Sequence, residues 1–229
     1  MPQPTTTRAV RGEAGMTGTR LILIRHGEAV ANVEKLLMSA KTCRGLSEKG
    51  RNQVERLRDR WLELPEFSAD AFYASHVRRA METGEIVAPA IGALEMKIEP
   101  RFAEHDPGPE CDGLSYEEFV SRHGNPDWEG DPYAVFFPGG ETIADFQHRV
   151  GIAVQNVLRE HTGDTVVVAC HGGVVDAVVR SALRLPQTGQ FSMYTKNASI
   201  TEVVHDKPGR WRLIRYNDTA HLAALAEDK

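Results

Sequence analysis

Leu21-Ile22-Leu23-Ile24 is an unbroken apolar run flanked by polar residues, the pattern of a strand buried on both faces of a parallel sheet. Ala71-Phe72-Tyr73-Ala74 and Val166-Val167-Val168-Ala169 repeat it further along the chain. Between the first two, Ser47 opens a segment in which Val54, Leu57 and Trp61 share one helical face while Arg and Glu fill the others, which predicts an amphipathic helix that serves packing. Ser75 is placed to cap a helix running to about Ala88, just ahead of Pro89. A third, apolar helix follows His171-Gly172-Gly173 and runs to about Leu183. Two more strands, Ser199 to Val204 and Trp211 to Tyr216, flank the turn sequence Asp206-Lys207-Pro208-Gly209.

Strands that alternate with helices imply an α/β fold, a three-layer α/β/α sandwich around a mixed, mostly parallel sheet that ends in an antiparallel pair. Residues 1–19 carry Thr, Gly and Arg without periodicity and read as a disordered leader, with Met16 as an alternative start. Residues 20–229 read as a single domain. In such sheets ligands gather at the carboxyl ends of the strands, and the segments that begin at Arg25, Ser75 and His171 all leave that kind of edge.

Composition narrows the function classes. With 41% hydrophobic and 26% charged residues the chain is an ordinary globular one. A net charge of -5 without a basic stripe argues against nucleic acid and anionic membranes as partners, so any recognition of an anion must be local. No segment has the ~20 apolar residues of a membrane span, and the first residues lack the apolar run of a signal peptide. The three cysteines, Cys43, Cys111 and Cys170, are widely spaced and read as reduced thiols of a cytoplasmic protein. The nine histidines show no metal-ligand spacing, and no metal or cofactor is expected.

What remains is a coincidence of polar residues at strand ends. Arg25-His26-Gly27-Glu28 follows one strand, Arg78 lies in the first turn of a helix after another, and His171-Gly172-Gly173 follows a third. A phosphoryl group in transfer needs forked cationic donors around its oxygens, and two arginines together with the amides of a helix start near Gly172 meet that need. Glycine at Gly27 and Gly172 is expected to let the backbone come close. A histidine beside these cations has its protonated form disfavoured, which leaves His26 a neutral nucleophile. A carboxylic acid must then protonate the leaving alkoxide, and Glu104 and Asp106 both qualify.

The ordered set of motifs resembles the histidine phosphatase superfamily, also called phosphoglycerate mutase-like. The set comprises Arg25-His26-Gly27-Glu28 with Asn32, Ser75 followed by Arg78 and Thr83, Glu104 nine positions before Gly113-Leu114, Pro138-Gly139-Gly140-Glu141-Thr142, and Cys170-His171-Gly172-Gly173, and it spans about residues 20 to 216. The resemblance implies a six-stranded sheet, phosphorylation of His26, a phosphate pocket of Arg25, Arg78 and His171, and Glu104 as proton donor. Asn32 and the Gly172 amide are carried over as substrate-binding groups, and the family needs no metal.

The resemblance covers mutases as well as phosphatases. Ala29-Val30-Ala31-Asn32 lacks the Ser and Trp that mutases carry there, and the stretch from Glu104 to His171 is shorter than theirs, so hydrolysis of a small phosphate ester is expected rather than phosphoglycerate mutase-type transfer. A non-catalytic phosphate-binding module is the other alternative. Its mark is a lost nucleophile or acid, and both are present. Lys41 and Arg44 offer charges for a second anionic group on the substrate, against the simpler reading as solvated loop charges. The region 105–140 concentrates Tyr116, Phe119, Trp128, Tyr133, Phe136 and Phe137 and reads as a lid-like insertion. A symmetric homodimer is the default assembly.

Overall fold

The computed structural model describes residues 18–207 and 209–225. Strand β1 (Thr19–Arg25) decides the layering. Leu21 and Leu23 enter one hydrophobic cluster, Ile22 and Ile24 enter another on the opposite face, and all four are buried. A strand buried on both faces needs a layer on each side.

Strand β2 (Ala71–Ala74) pairs parallel with both the short β3 (Met96–Ile98) and β4 (Thr165–Cys170). Strand β4 pairs parallel with β1, bringing Leu21 opposite Val166 and Arg25 opposite Cys170. Strands β5 (Ile200–Lys207) and β6 (Arg210–Asp218) complete the sheet in antiparallel fashion, in the order β3-β2-β4-β1-β5-β6. The mixed, mostly parallel six-stranded sheet is thus as expected. The edge strand β3 was not foreseen, because three half-exposed residues, Met-Lys-Ile, are too few to show a period.

The first loops contribute the short α1 (Val30–Glu34) and then α2 (Glu48–Glu63). The latter starts as predicted, with Ser47 Oγ accepting from the Gly50 amide at 3.0 Å. Together with α3 (Arg78–Val87) it covers one face through Val54, Leu57, Trp61 and Val87. Beyond the two short helices of the 105–140 region, α4 (Gly108–Cys111) and α5 (Tyr116–His123), come α6 (Ile143–Glu160) and α7 (Gly172–Leu183), which cover the other face. Fully burying a side chain such as Leu57 or Val174 contributes roughly 1.5–3 kcal/mol, which offsets the entropy of ordering the helices.

Two expectations need correction. Helix α3 begins three residues after Ser75, with Val77 at its N-cap and no side-chain cap. The Ser75 hydroxyl accepts from the Val77 amide at 3.2 Å and lies 2.9 Å from His171 Nε2, so it shapes the turn rather than closing the helix. The leader falls mostly outside the described residues, but its last residue, Thr19, is the buried first residue of β1, with its hydroxyl donating to His161 O. The aromatic residues of 105–140 divide. Phe119 and Phe137 pack with Cys111 in a small cluster of their own, whereas Tyr133 is exposed. All three cysteines are buried and free. Among the described residues no helix is long and apolar enough to cross a membrane.

Candidate active site

The parallel strands β2, β4 and β1 lie side by side in that order, so the segments that leave their carboxyl ends are neighbours. The His26 amide donates to Cys170 O at 2.9 Å and the Ser75 amide to Ala169 O at 3.0 Å, which places His171 between Ser75 and His26. The two imidazoles meet edge to face with centroids 5.2 Å apart.

His26 is buried, and its Nδ1 lies 2.7 Å from Gly27 O. Only a protonated Nδ1 can donate to a carbonyl, so the neutral ring carries its lone pair on Nε2. Asn197 Nδ2 and the Ala198 amide both donate to His26 O, each at 3.1 Å, and the Gly27 amide donates to Thr83 Oγ1 at 3.2 Å. The use of Gly27 differs from the expected one. A Cβ there would sit 2.4 Å from Gly50 O, so its small size serves the packing of this loop on α2 and not a ligand.

The arginine in the pocket is Arg79, not Arg78. Arg79 Nε donates to His26 Nε2 at 3.2 Å, and its side chain reaches Met38 O and Cys43 Sγ. Arg78 projects into solvent and pairs with Glu82 at 2.9 Å along the helix. Because α3 starts at Arg78, adjacent residues diverge by about 100° around its axis. Arg79 falls on the buried stripe with Thr83 and Val87, and Arg78 on the outer one. That four-residue spacing was the available signal.

Arg25 donates to Thr195 O through one terminal nitrogen, while its buried Nε has no partner among the described residues. His171 is buried, with Nε2 on Ser75 and Nδ1 without a partner among the described residues. Burial, then Arg79 and Arg25, pushes the His26 imidazole well below the ordinary histidine range. His171 is also held well below that range by burial, Arg79 and His26. Burial lowers Arg25 as well, with Glu104 opposing. The result is a cavity end lined by two guanidiniums and the neutral imidazole of His26, with the fully buried His171 behind it, ready for a compact anion.

Glu104 reaches the same place. Its Oε2 accepts from the Gly173 amide at 3.1 Å and its Oε1 from the His105 amide at 3.1 Å. Arg149 grips the carbonyls of Arg101, Ala103 and Glu104 and the carboxylate of Glu141, which fixes the segment that presents Glu104. Asp106 instead accepts from the Gly108 amide and does not line the cavity of His26, whereas Glu104 does. Gly172 sits over Arg25, where a Cβ would make only ordinary contact at 3.4 Å. The closer approach is at Gly173, where a Cβ would fall 2.2 Å from Glu104 Oε1. Asn32 lines the cavity, and its Oδ1 accepts from the Ala29 amide at 2.9 Å.

From this end a cavity of about 540 Å³ extends outward along Leu36, Met38, Tyr116, Trp128, Phe146 and Phe191. Lys41 and Arg44 are not part of it. Arg44 pairs with Glu34 on the surface, and the neighbouring residues that do line the cavity are apolar. Cys170 points into the core, where burial pushes its thiol up, so it is no partner for His171 in nucleophilic chemistry.

A family model described as the histidine phosphatase superfamily (branch 1) matches residues 21–219. Phosphoserine phosphatase 1 of Hydrogenobacter thermophilus is 31% identical over 211 residues, covering 89% of this chain and 94% of that protein. The metal-independent phosphoserine phosphatase of Arabidopsis thaliana is 27% identical over 216 residues, covering 90% of this chain and 84% of that protein. Among solved structures, Bacillus stearothermophilus YhfR superposes with a TM-score of 0.76 at 29% identity, covering 89% of this chain and 99% of that one.

Proposed function

Because the chain belongs to the histidine phosphatase superfamily, we propose that it is a metal-independent phosphomonoesterase that hydrolyses a small phosphorylated metabolite through a phosphohistidine on His26. The observation that carries this reading is the 2.7 Å approach of His26 Nδ1 to Gly27 O, which assigns the proton to Nδ1. With Nδ1–H spent on Gly27 O, the Nε2 lone pair faces Arg79 and the open cavity, the geometry required of an attacking atom.

Substrate phosphate enters the anion site of Arg25, Arg79 and His171, and Arg79 turns its donors from His26 Nε2 to the phosphoryl oxygens. The Nε2 lone pair attacks phosphorus as the ester P–O bond breaks, and Glu104 in its acid form gives its proton to the departing alkoxide. Water then attacks the phosphohistidine, Glu104 takes a proton from it, and the N–P bond breaks to leave inorganic phosphate and neutral His26. Asn32 and the Gly172 amide assist in binding. The 105–140 segment covers the outer cavity. Two named phosphatases among the relatives support hydrolysis over transfer to a second sugar acid.

The test is phosphate release from a panel of phosphomonoesters in EDTA by wild type and His26→Ala, with acid-labile, base-stable label trapped from a 32P-labelled substrate. Release and trapping by wild type alone are expected. Isomerised 3-phosphoglycerate without release would mean a mutase, and silence across the panel a binding module.

A further inference from the structure

Helix α7 turns one stripe into the cavity, Gly172, Asp176 and Arg180, spaced four residues apart. Arg180 is buried, and each of its three guanidinium nitrogens has a partner. Nε donates to Asp176 Oδ2 at 2.7 Å, and the terminal nitrogens donate to the carbonyls of Pro186 and Phe191. The other two cations that line the cavity, Arg25 and Arg79, stand at its phosphate end. Among the described lining residues, then, no cation is left for a second anionic group. Asp176, paired with Arg180, and Glu129 add carboxylates to the same space, beside the proposed acid Glu104. Burial raises the Asp176 carboxyl above its usual range, and Glu104 adds to that while Arg180 opposes it. The rest of the outer wall is mostly apolar and aromatic, with the uncharged Asn32, Gln147, Gln187 and Ser192 and the imidazole of His105 set among Leu36, Met38, Phe146 and the rim residues Trp128, 44% exposed, and Phe191, 57% exposed.

We infer that the outer cavity selects phosphate monoesters whose alcohol is apolar and either uncharged or cationic, and that Asp176 and the aromatic rim exclude alcohols that carry a carboxylate or a second phosphate. This rests on the phosphomonoesterase reading above. A carboxylate in that space loses its water, meets no free donor of opposite charge and faces like charges, whereas an aryl group gains burial against Trp128 and Phe146.

Three esters of primary alcohols, 2-phenylethyl phosphate, phosphoserine and 3-phosphoglycerate, separate this preference from leaving-group reactivity. Wild type is expected to show kcat/KM at least tenfold higher for 2-phenylethyl phosphate than for either carboxylate ester. Trp128→Ala, at the exposed rim, is expected to lower the apolar ester about tenfold and leave the carboxylate esters within threefold, and Asp176→Asn to raise the carboxylate esters. A wild-type preference for either carboxylate ester, or an unchanged preference in Trp128→Ala, overturns the inference while leaving His26-dependent hydrolysis intact. Absence of His26-dependent release from all three esters while other esters of the panel are hydrolysed overturns the inference, and absence across the whole panel removes the phosphomonoesterase reading and this inference with it.

Discussion

Arg79 Nε donates to His26 Nε2 at 3.2 Å, while its neighbour Arg78 faces solvent and pairs with Glu82. Two adjacent arginines thus have unrelated surroundings. One is buried against the proposed attacking nitrogen and the other is part of a surface ion pair.

Arg79→Ala is expected to lower kcat/KM by about 10²–10³, the usual effect of removing one preorganised donor from a site of developing charge. Arg78→Ala should stay within threefold, since an exposed i,i+4 pair contributes only ~0.3–0.5 kcal/mol. Steady-state kinetics on both variants decides the matter. Equal losses would show that the two arginines share the phosphate.

The acid limb of the pH profile should be displaced downward. Burial, Arg79 and Arg25 hold His26 well below the ordinary histidine range, and the proposed mechanism needs its deprotonated form. Activity of the free enzyme is therefore retained as pH falls through ~6.5, where an unperturbed histidine would already be half protonated. A kcat/KM profile corrected for ionisation of the substrate phosphate checks this. A limb centred near 6.5 would contradict the environment described for His26.

Stability should follow a related course with its own sign. His26 and His171 are held well below 6.5 in the folded chain, and His221 is lowered to about 4, chiefly by burial. Below ~6.5 the unfolded chain binds protons that the folded chain refuses, so stability falls as pH falls through that value, by up to ~1.4 kcal/mol per pH unit for each such histidine. Asp218, lowered to about 2, changes charge only below this window. Urea midpoints measured at pH 7.5 and 5.5 should differ accordingly, and identical midpoints would refute the assignment.

Gly173→Ala is expected to remove catalysis while the fold persists. Its Cβ would lie 2.2 Å from Glu104 Oε1, and the carboxylate must swing away from the pocket. The loss should approach the ~10²–10⁴ that general acid catalysis supplies. Gly172→Ala meets only ordinary contact with Arg25, and its fold and activity should suffer less. Circular dichroism alongside kcat separates displacement of Glu104 from unfolding.

Much of this protein was determined by its sequence alone. Runs such as Leu21–Ile24 and Val166–Ala169 have no polar face to offer water, so strands buried on both sides followed from burial energetics without any tertiary information. The nucleophile candidate was legible for a similar reason, since His26 and His171 directly follow such strands and inherit their burial. The tertiary structure decided what one-dimensional spacing cannot carry. Which of two adjacent arginines enters the pocket depends on where α3 starts, a matter of one residue and 100° of rotation, and that start was set by the turn Ser75 shapes beside His171. Whether Glu104 or Asp106 reaches the cavity depends on contacts from Arg149 and Gly173, which lie 45 and 69 residues away along the chain. The exclusion of Lys41 and Arg44 and the closing of the outer cavity by Trp128 and Phe191 arise in the same way, from segments distant in sequence that meet only once the sheet has formed.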